Sequence, residues 1–81
     1  MNSEDIFSTL QDIFRDVLDN QDLVIFEDMT ADDVDNWDSL AHISIITSIE
    51  KSLQIRFAIS EIESLQTVGD MVKLVENKSN E

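Results

Sequence analysis

Apolar residues near the start of the chain recur with helical spacing. Ile6, Phe7, Leu10, Ile13, Phe14, Val17 and Leu18 form one stripe along roughly three turns. Ser3 ahead of Glu4 and Asp5 supplies an N-cap followed by acids that complement the helix dipole, so a first helix is expected over about 3–18. From Asp19 to Trp37 the period breaks into "DNQDLVIFEDMTADDVDNW", in which Leu23, Val24, Ile25, Phe26, Met29, Val34 and Trp37 alternate with acids. This predicts a long ordered connection pinned by its apolar residues. Connections of that length are functional or contain short turns of their own.

A second helix is expected over about 39–53. At 100° per residue, His42, Ile45, Ile46, Ile49 and Leu53 fall within about a third of the circumference and define the inward face. Leu40, Ser44, Thr47 and Lys51 lie on another arc, so the core does not account for Leu40. Ile55, Phe57 and Ile59 read as a packed linker, and Ser60 with "EIES" predicts a short third helix over 60–64 carrying Ile62. Thr67, with Asp70 three residues on, forms a capping box that opens a last helix over 67–77, whose buried stripe is Val68, Met71, Val72 and Val75. The tail "NKSNE" is expected to fray.

With 81 residues, the chain suffices for one small domain over 1–81. With no proline and Gly69 as its single glycine it has little material for tight hairpins, and the expected fold class is all-α, a bundle of four helices. A hydrophobic share of 42% excludes a disordered tail, and no run reaches the roughly 20 apolar residues of a membrane span. Zero cysteines exclude disulfides and thiolate metal sites. The acids of "MNSEDIF" stand where a signal peptide carries positive charge, so a cytoplasmic location is expected. The stripes are used up by one core and no spare apolar face is evident, which predicts a monomer.

The 18 acids and 5 bases give a net charge of −13, and they are unevenly spread. Residues 1–41 hold 12 acids and Arg15 alone among bases, whereas residues 42–81 hold 6 acids and 4 bases. Such a surface repels nucleic acid and anionic lipid and favours partners that display Lys and Arg, although a plain solvated face accounts for it equally well. Self-repulsion also predicts that salt or divalent cations raise the melting temperature.

Candidate chemistry gathers at "NWDSLAH". Asp38 is a good N-cap, and it puts Ser39 in the first turn of the second helix. Anything anionic attached to that hydroxyl sits beside free N–H groups at the positive end of the dipole, a setting that suits a phosphodiester. Taken alone, an Asp-Ser pair also reads as a small polar residue near a cap. No Ser/His/Asp set, glycine-rich phosphate loop or metal-ligand cluster is present, so neither a catalytic residue nor a metal is expected. His42 is the only histidine and projects toward the core face, which favours a packed structural role. A calcium loop in "DNQDLVIFEDMT" fails on spacing: no glycine stands at its sixth position and its twelfth residue is Thr30. The acids Asp28, Asp32, Asp33 and Asp35 are open to two readings, a solvated face or supplementary docking and weak cation binding.

"DSL" (Asp38, Ser39, Leu40) opening a helix, "IITSIEKSLQIRF" continuing it and "I..LQTVGDMVKLV" closing the chain resemble the acyl carrier protein family. The resemblance covers nearly the whole chain, including the long first loop and the short third helix. It implies a carrier with no catalysis of its own. Ser39 would bear 4′-phosphopantetheine, transferred from coenzyme A by a magnesium-dependent phosphopantetheinyl transferase (holo-acyl-carrier synthase). The thiol of that arm carries acyl groups as thioesters.

By position, Asp38, Leu40 and Glu50 keep the character of the family's docking face toward basic patches on partner enzymes. Ala41, Ser44 and Lys51 stand where fatty-acid-synthesis carriers usually have acids, and Thr47 stands where a methionine is usual. Those departures, and Trp37 in "WDSL", imply the dedicated partners of a specialised pathway, fatty-acyl or polyketide: an acyl-loading ligase and acyl-transfer or synthase enzymes. Trp37 also reads as a loop anchor over the core. An aminoacyl, D-alanyl or peptidyl carrier using the same serine, served by an aminoacyl-loading ligase, and an acidic helical adaptor with an unmodified serine remain open alternatives.

Overall fold

The computed structural model describes residues 3–79. Within them lie four α-helices and no strand: α1 (Ser3–Val17), α2 (Ser39–Leu53), α3 (Ile59–Ser64) and α4 (Val68–Ser79). The fold class is therefore all-α. Packing centres on α1, which lies against both α2 and α4.

The stripes read from the period become the core. Ile6, Leu10, Ile13, Phe14 and Leu18 are buried against Ile45, Ile46 and Ile49 of α2 and Val68, Met71 and Val75 of α4. Each large aliphatic side chain buried this way contributes about 1.5–3 kcal/mol. Ser3 is itself helical rather than a cap, and its hydroxyl donates to the Glu76 carboxylate on the last helix. Thr67 and Asp70 exchange the two bonds of a capping box at the start of α4: Thr67 Oγ1 accepts from the Asp70 amide at 3.0 Å, and the Asp70 carboxylate accepts from the Thr67 amide at 3.3 Å.

The long connection is held by side chains from α1 as well as by its own apolar residues. Arg15 donates through Nε to the Leu23 carbonyl at 2.7 Å, and Gln11 one turn earlier accepts from the Ile25 amide at 3.3 Å. Ile25, Met29 and Trp37 are buried, whereas Val24 and Phe26 point outward. The connection contains a 3-10 turn, Ala31–Asp33, closed by a capping box between Thr30 and Asp33. Its middle docks on α4, where Met29 and Glu27 accept the amides of Val68 and Gly69 at 3.1 and 2.8 Å.

Several details differ from the pattern-based expectation. Ile59 is exposed and opens α3, so it is no part of a packed linker; Ile55 and Phe57 alone are half-buried. No side chain caps α3 at Ala58. Instead Glu61 reaches back to accept the Ala58 amide at 2.7 Å, and its other neighbour is Lys78 of α4, 2.9 Å away. The Ala58 bond first, and then Lys78, hold the Glu61 carboxyl below its ordinary value. Lys78 also lies over the Phe57 ring at 5.8 Å. These contacts carry α4 through Ser79, past the point where the tail was expected to fray; Asn80 and Glu81 lie outside the described residues, as do Met1 and Asn2. Among the described residues no helix is long and apolar enough to cross a membrane. The stripes do pack into one core, but the expectation that no spare apolar face is left does not hold, because Val24, Phe26, Ile43 and Ile59 remain exposed together with Leu40.

Candidate functional site

Asp38 adopts extended backbone, with φ −98° and ψ −173°, and its carboxylate accepts the Ala41 amide at 2.8 Å. Its carbonyl accepts the first intrahelical bond from the His42 amide at 2.9 Å. Ser39 is thus the first residue of α2. Its side chain is exposed and its hydroxyl has no hydrogen-bond partner among the described residues. Amides of a first helical turn point out of the helix end, so this free hydroxyl stands in the positive field of the dipole. Beside it lies an open cleft of about 770 Å³ between the 3-10 turn, the start of α2, and α3. Trp37, His42, Ile43, Ile62 and Leu65 give it an apolar wall.

Trp37 precedes the cap and is buried. Its ring meets Phe14 edge-on, with centroids 5.0 Å apart and planes at 86°. The indole N–H donates to His42 Nδ1 at 3.2 Å, and the two rings stack at 6.1 Å and 26°. His42 Nε2 lies 3.5 Å from the Ile62 carbonyl on α3. The inward reading of His42 and the anchor reading of Trp37 both describe what these side chains do. Their mutual bond went unread, although the signal was present: the residue before an N-cap and the fourth residue of the helix are the positions that pack together in a staple.

On the outer side of α2, Leu40 is 77% exposed and Ser44, Thr47 and Lys51 are exposed beside it, so one continuous face carries all four. Ile43, absent from the sequence-based set, joins this face at 51% exposure. Its position outside the inward arc was the available clue. Glu50 is half-buried and spends one carboxylate oxygen on the Phe57 amide at 2.9 Å, which ties it to the fold. Lys51 shares a shallow groove of about 430 Å³ with Arg56. Ala41 is half-buried, its amide taken by the cap.

Of the loop acids, Asp33 closes the Thr30 capping box and Asp32 lines the cleft beside Ser39. Asp28 and Asp35 are exposed. Among the described residues no group of three or more His, Cys, Asp or Glu side chains is placed to hold a metal ion.

The chain matches no protein-family model and no curated protein. Among solved structures it is similar to the solution NMR structure of the holo acyl carrier protein from Geobacter metallireducens, with 40% identity and a TM-score of 0.84. The match covers 90% of this chain and 84% of that one. A common fold at this identity, over nearly the full length of both, shows that the chain belongs to the acyl carrier protein family, whose members are carriers rather than catalysts.

Proposed function

We propose that Ser39 is the attachment point of 4′-phosphopantetheine, joined through a phosphodiester, and that the chain acts as one carrier domain for acyl groups between enzymes of a specialised pathway. The observation that carries this reading is the exposed, unbonded Ser39 hydroxyl at the first position of a capped helix. The residues present fit the group. The phosphate would lie where helix amides and dipole favour an anion, and the cleft alongside leaves room for an arm. The group supplies a terminal thiol, which the chain's own residues lack, having no cysteine. Description of the Geobacter metallireducens relative as a holo carrier supports a prosthetic group here too.

Asp38 has two tasks in this reading. It fixes the cap that presents Ser39, and it offers negative charge to the transferase. Partners would be a phosphopantetheinyl transferase, a loading ligase and acyl-transfer or synthase enzymes, meeting the face formed by Leu40, Ser44, Thr47, Glu50 and Lys51, with Ile43 added. The specialised-pathway reading is supported by the make-up of that face, where Ala41, Ser44 and Lys51 replace acids and Thr47 replaces methionine. Rim charges mainly set association rate and discrimination, so these changes favour dedicated partners.

Incubation with coenzyme A, magnesium and a phosphopantetheinyl transferase, read by intact mass, tests the assignment. The native chain gains one phosphopantetheine and Ser39→Ala gains nothing. Failure of both to gain mass with several transferases would overturn it. Offering the loaded carrier to acyl-activating and aminoacyl-activating ligases then separates acyl from aminoacyl cargo.

A further inference from the structure

We infer that Trp37 and His42 form a hydrogen-bonded staple across the Asp38 cap, and that His42, as a neutral imidazole, is a positioning residue for the loading of Ser39. The inference deepens the proposed function and rests on Ser39 being the modified residue.

Geometry supports it from three sides. Trp37 stands just before the cap and His42 is the fourth residue of α2, so a bond between them fixes the angle at which the chain enters the helix. The attachment serine lies inside that bracket. One side of the bracket is anchored in the core, because the Trp37 ring is buried edge-on against Phe14 of α1. The other side is tied into α2, with Nε2 turned toward the Ile62 carbonyl of α3. Ser39 and His42 also share one flank of the first turn, being three residues apart.

The protonation state follows from the hydrogen-bond inventory. An indole N–H donates only, so Nδ1 must keep its lone pair to accept it, and the ring proton then belongs on Nε2, facing a carbonyl. Neutral imidazole satisfies both neighbours. Imidazolium has no acceptor and sets two N–H groups face to face at the Trp37 contact. The charged groups that share the cleft are Asp32 from the connection, Asp38 from the cap and Glu63 from α3, while α1 presents the Phe14 ring to the pair.

The chain has one tryptophan and one histidine, so Trp37 emission reports this contact directly. Removing the acceptor should alter it: His42→Ala is expected to shift the emission maximum, whereas His42→Asn, whose Oδ1 replaces Nδ1 as acceptor, should keep the wild-type spectrum. Loading of Ser39 from coenzyme A is then followed as kcat/KM. His42→Asn should load like wild type and His42→Ala about five-fold more slowly, the worth of one neutral hydrogen bond.

His42→Ala loading as fast as wild type, or His42→Asn loading as slowly as His42→Ala, overturns the inference, even if a variant melts earlier. If wild-type protein takes up no group while the His42→Ala emission still shifts, the carrier reading fails and the positioning role falls with it.

Discussion

Gly69 donates its amide to the Glu27 carbonyl at 2.8 Å, and a Cβ at Gly69 would sit 3.1 Å from that same oxygen and 2.7 Å from the Glu27 Cγ. The long connection and the last helix therefore meet backbone to backbone. The only glycine in the chain occupies the contact.

Two effects oppose each other in Gly69→Ala. Alanine is the better helix former by about 1 kcal/mol. Against that, the methyl must push the Glu27 side chain aside and stretch a main-chain bond, and such overpacking costs about 1–3 kcal/mol, with about 1 kcal/mol more for a lost hydrogen bond. Clash should win. Urea unfolding is expected to show a net loss of about 1–3 kcal/mol, and a variant more stable than wild type would mean that the connection is held elsewhere.

Glu61 gives a pH signature. Its carboxyl is held below the ordinary 4.5 by the Ala58 amide and then by Lys78. A lowered carboxylate stabilises the fold fully above that ordinary value, and the contribution disappears as pH falls through the lowered native one. Glu61→Gln should therefore melt earlier than wild type near neutrality, with the gap narrowing as pH drops below the ordinary value. Thermal melts across that range check the sign; a gap that widens in acid contradicts it.

The charge of −13 predicts a response to salt. Raising NaCl from about 0.02 M to about 0.5 M shortens the screening length from roughly 20 Å to roughly 4 Å. Relief of self-repulsion should raise the melting temperature by about 5 °C. Differential scanning calorimetry at the two salt levels decides, and an unchanged midpoint would show that the acids are already neutralised within the fold.

Lys51 and Arg56 place two cations at the far end of a docking face whose acids are Asp38 and Glu50. In our reading they disfavour a partner that is basic along its whole contact. The double variant Lys51→Glu, Arg56→Glu should raise kcat/KM for loading by such a transferase by about three- to ten-fold at low salt, with the gain fading at high salt. Equal rates at both salt levels would remove these residues from partner selection.

The parts of this molecule that were legible in the sequence are those governed by periodicity and local capping. The inward stripes of α1 and α4, the Asp38 cap, the Thr67 and Asp70 box and the outward turn of Leu40 depend on spacing within a few residues. What escaped depends on partners distant in sequence. Ile59 looked like core because it is apolar, yet it is exposed, and α3 is held by Ile62 against the core and by Glu61 to Lys78 instead. The residues that turn the chain just past the helices were also hidden. Without glycine to spare, Asp19 at φ 52° and Gln54 at φ 55° take the left-handed positions after α1 and α2, where propensity points to glycine or asparagine. At the site, the serine and its cap were readable, whereas the Trp37 to His42 bond and the exposed Ile43 went unread although their spacing along α2 carried the signal.

The most direct measurement is where on the chain the group sits after loading. No lysine or arginine lies between Arg15 and Lys51, so trypsin releases residues 16–51 as one peptide containing Ser39, Ser44, Ser48, Thr30 and Thr47. Fragmentation of that peptide from the loaded protein should put the whole phosphopantetheine mass on Ser39. Its appearance on Ser44 or another hydroxyl, or on no residue of this peptide, would contradict the account.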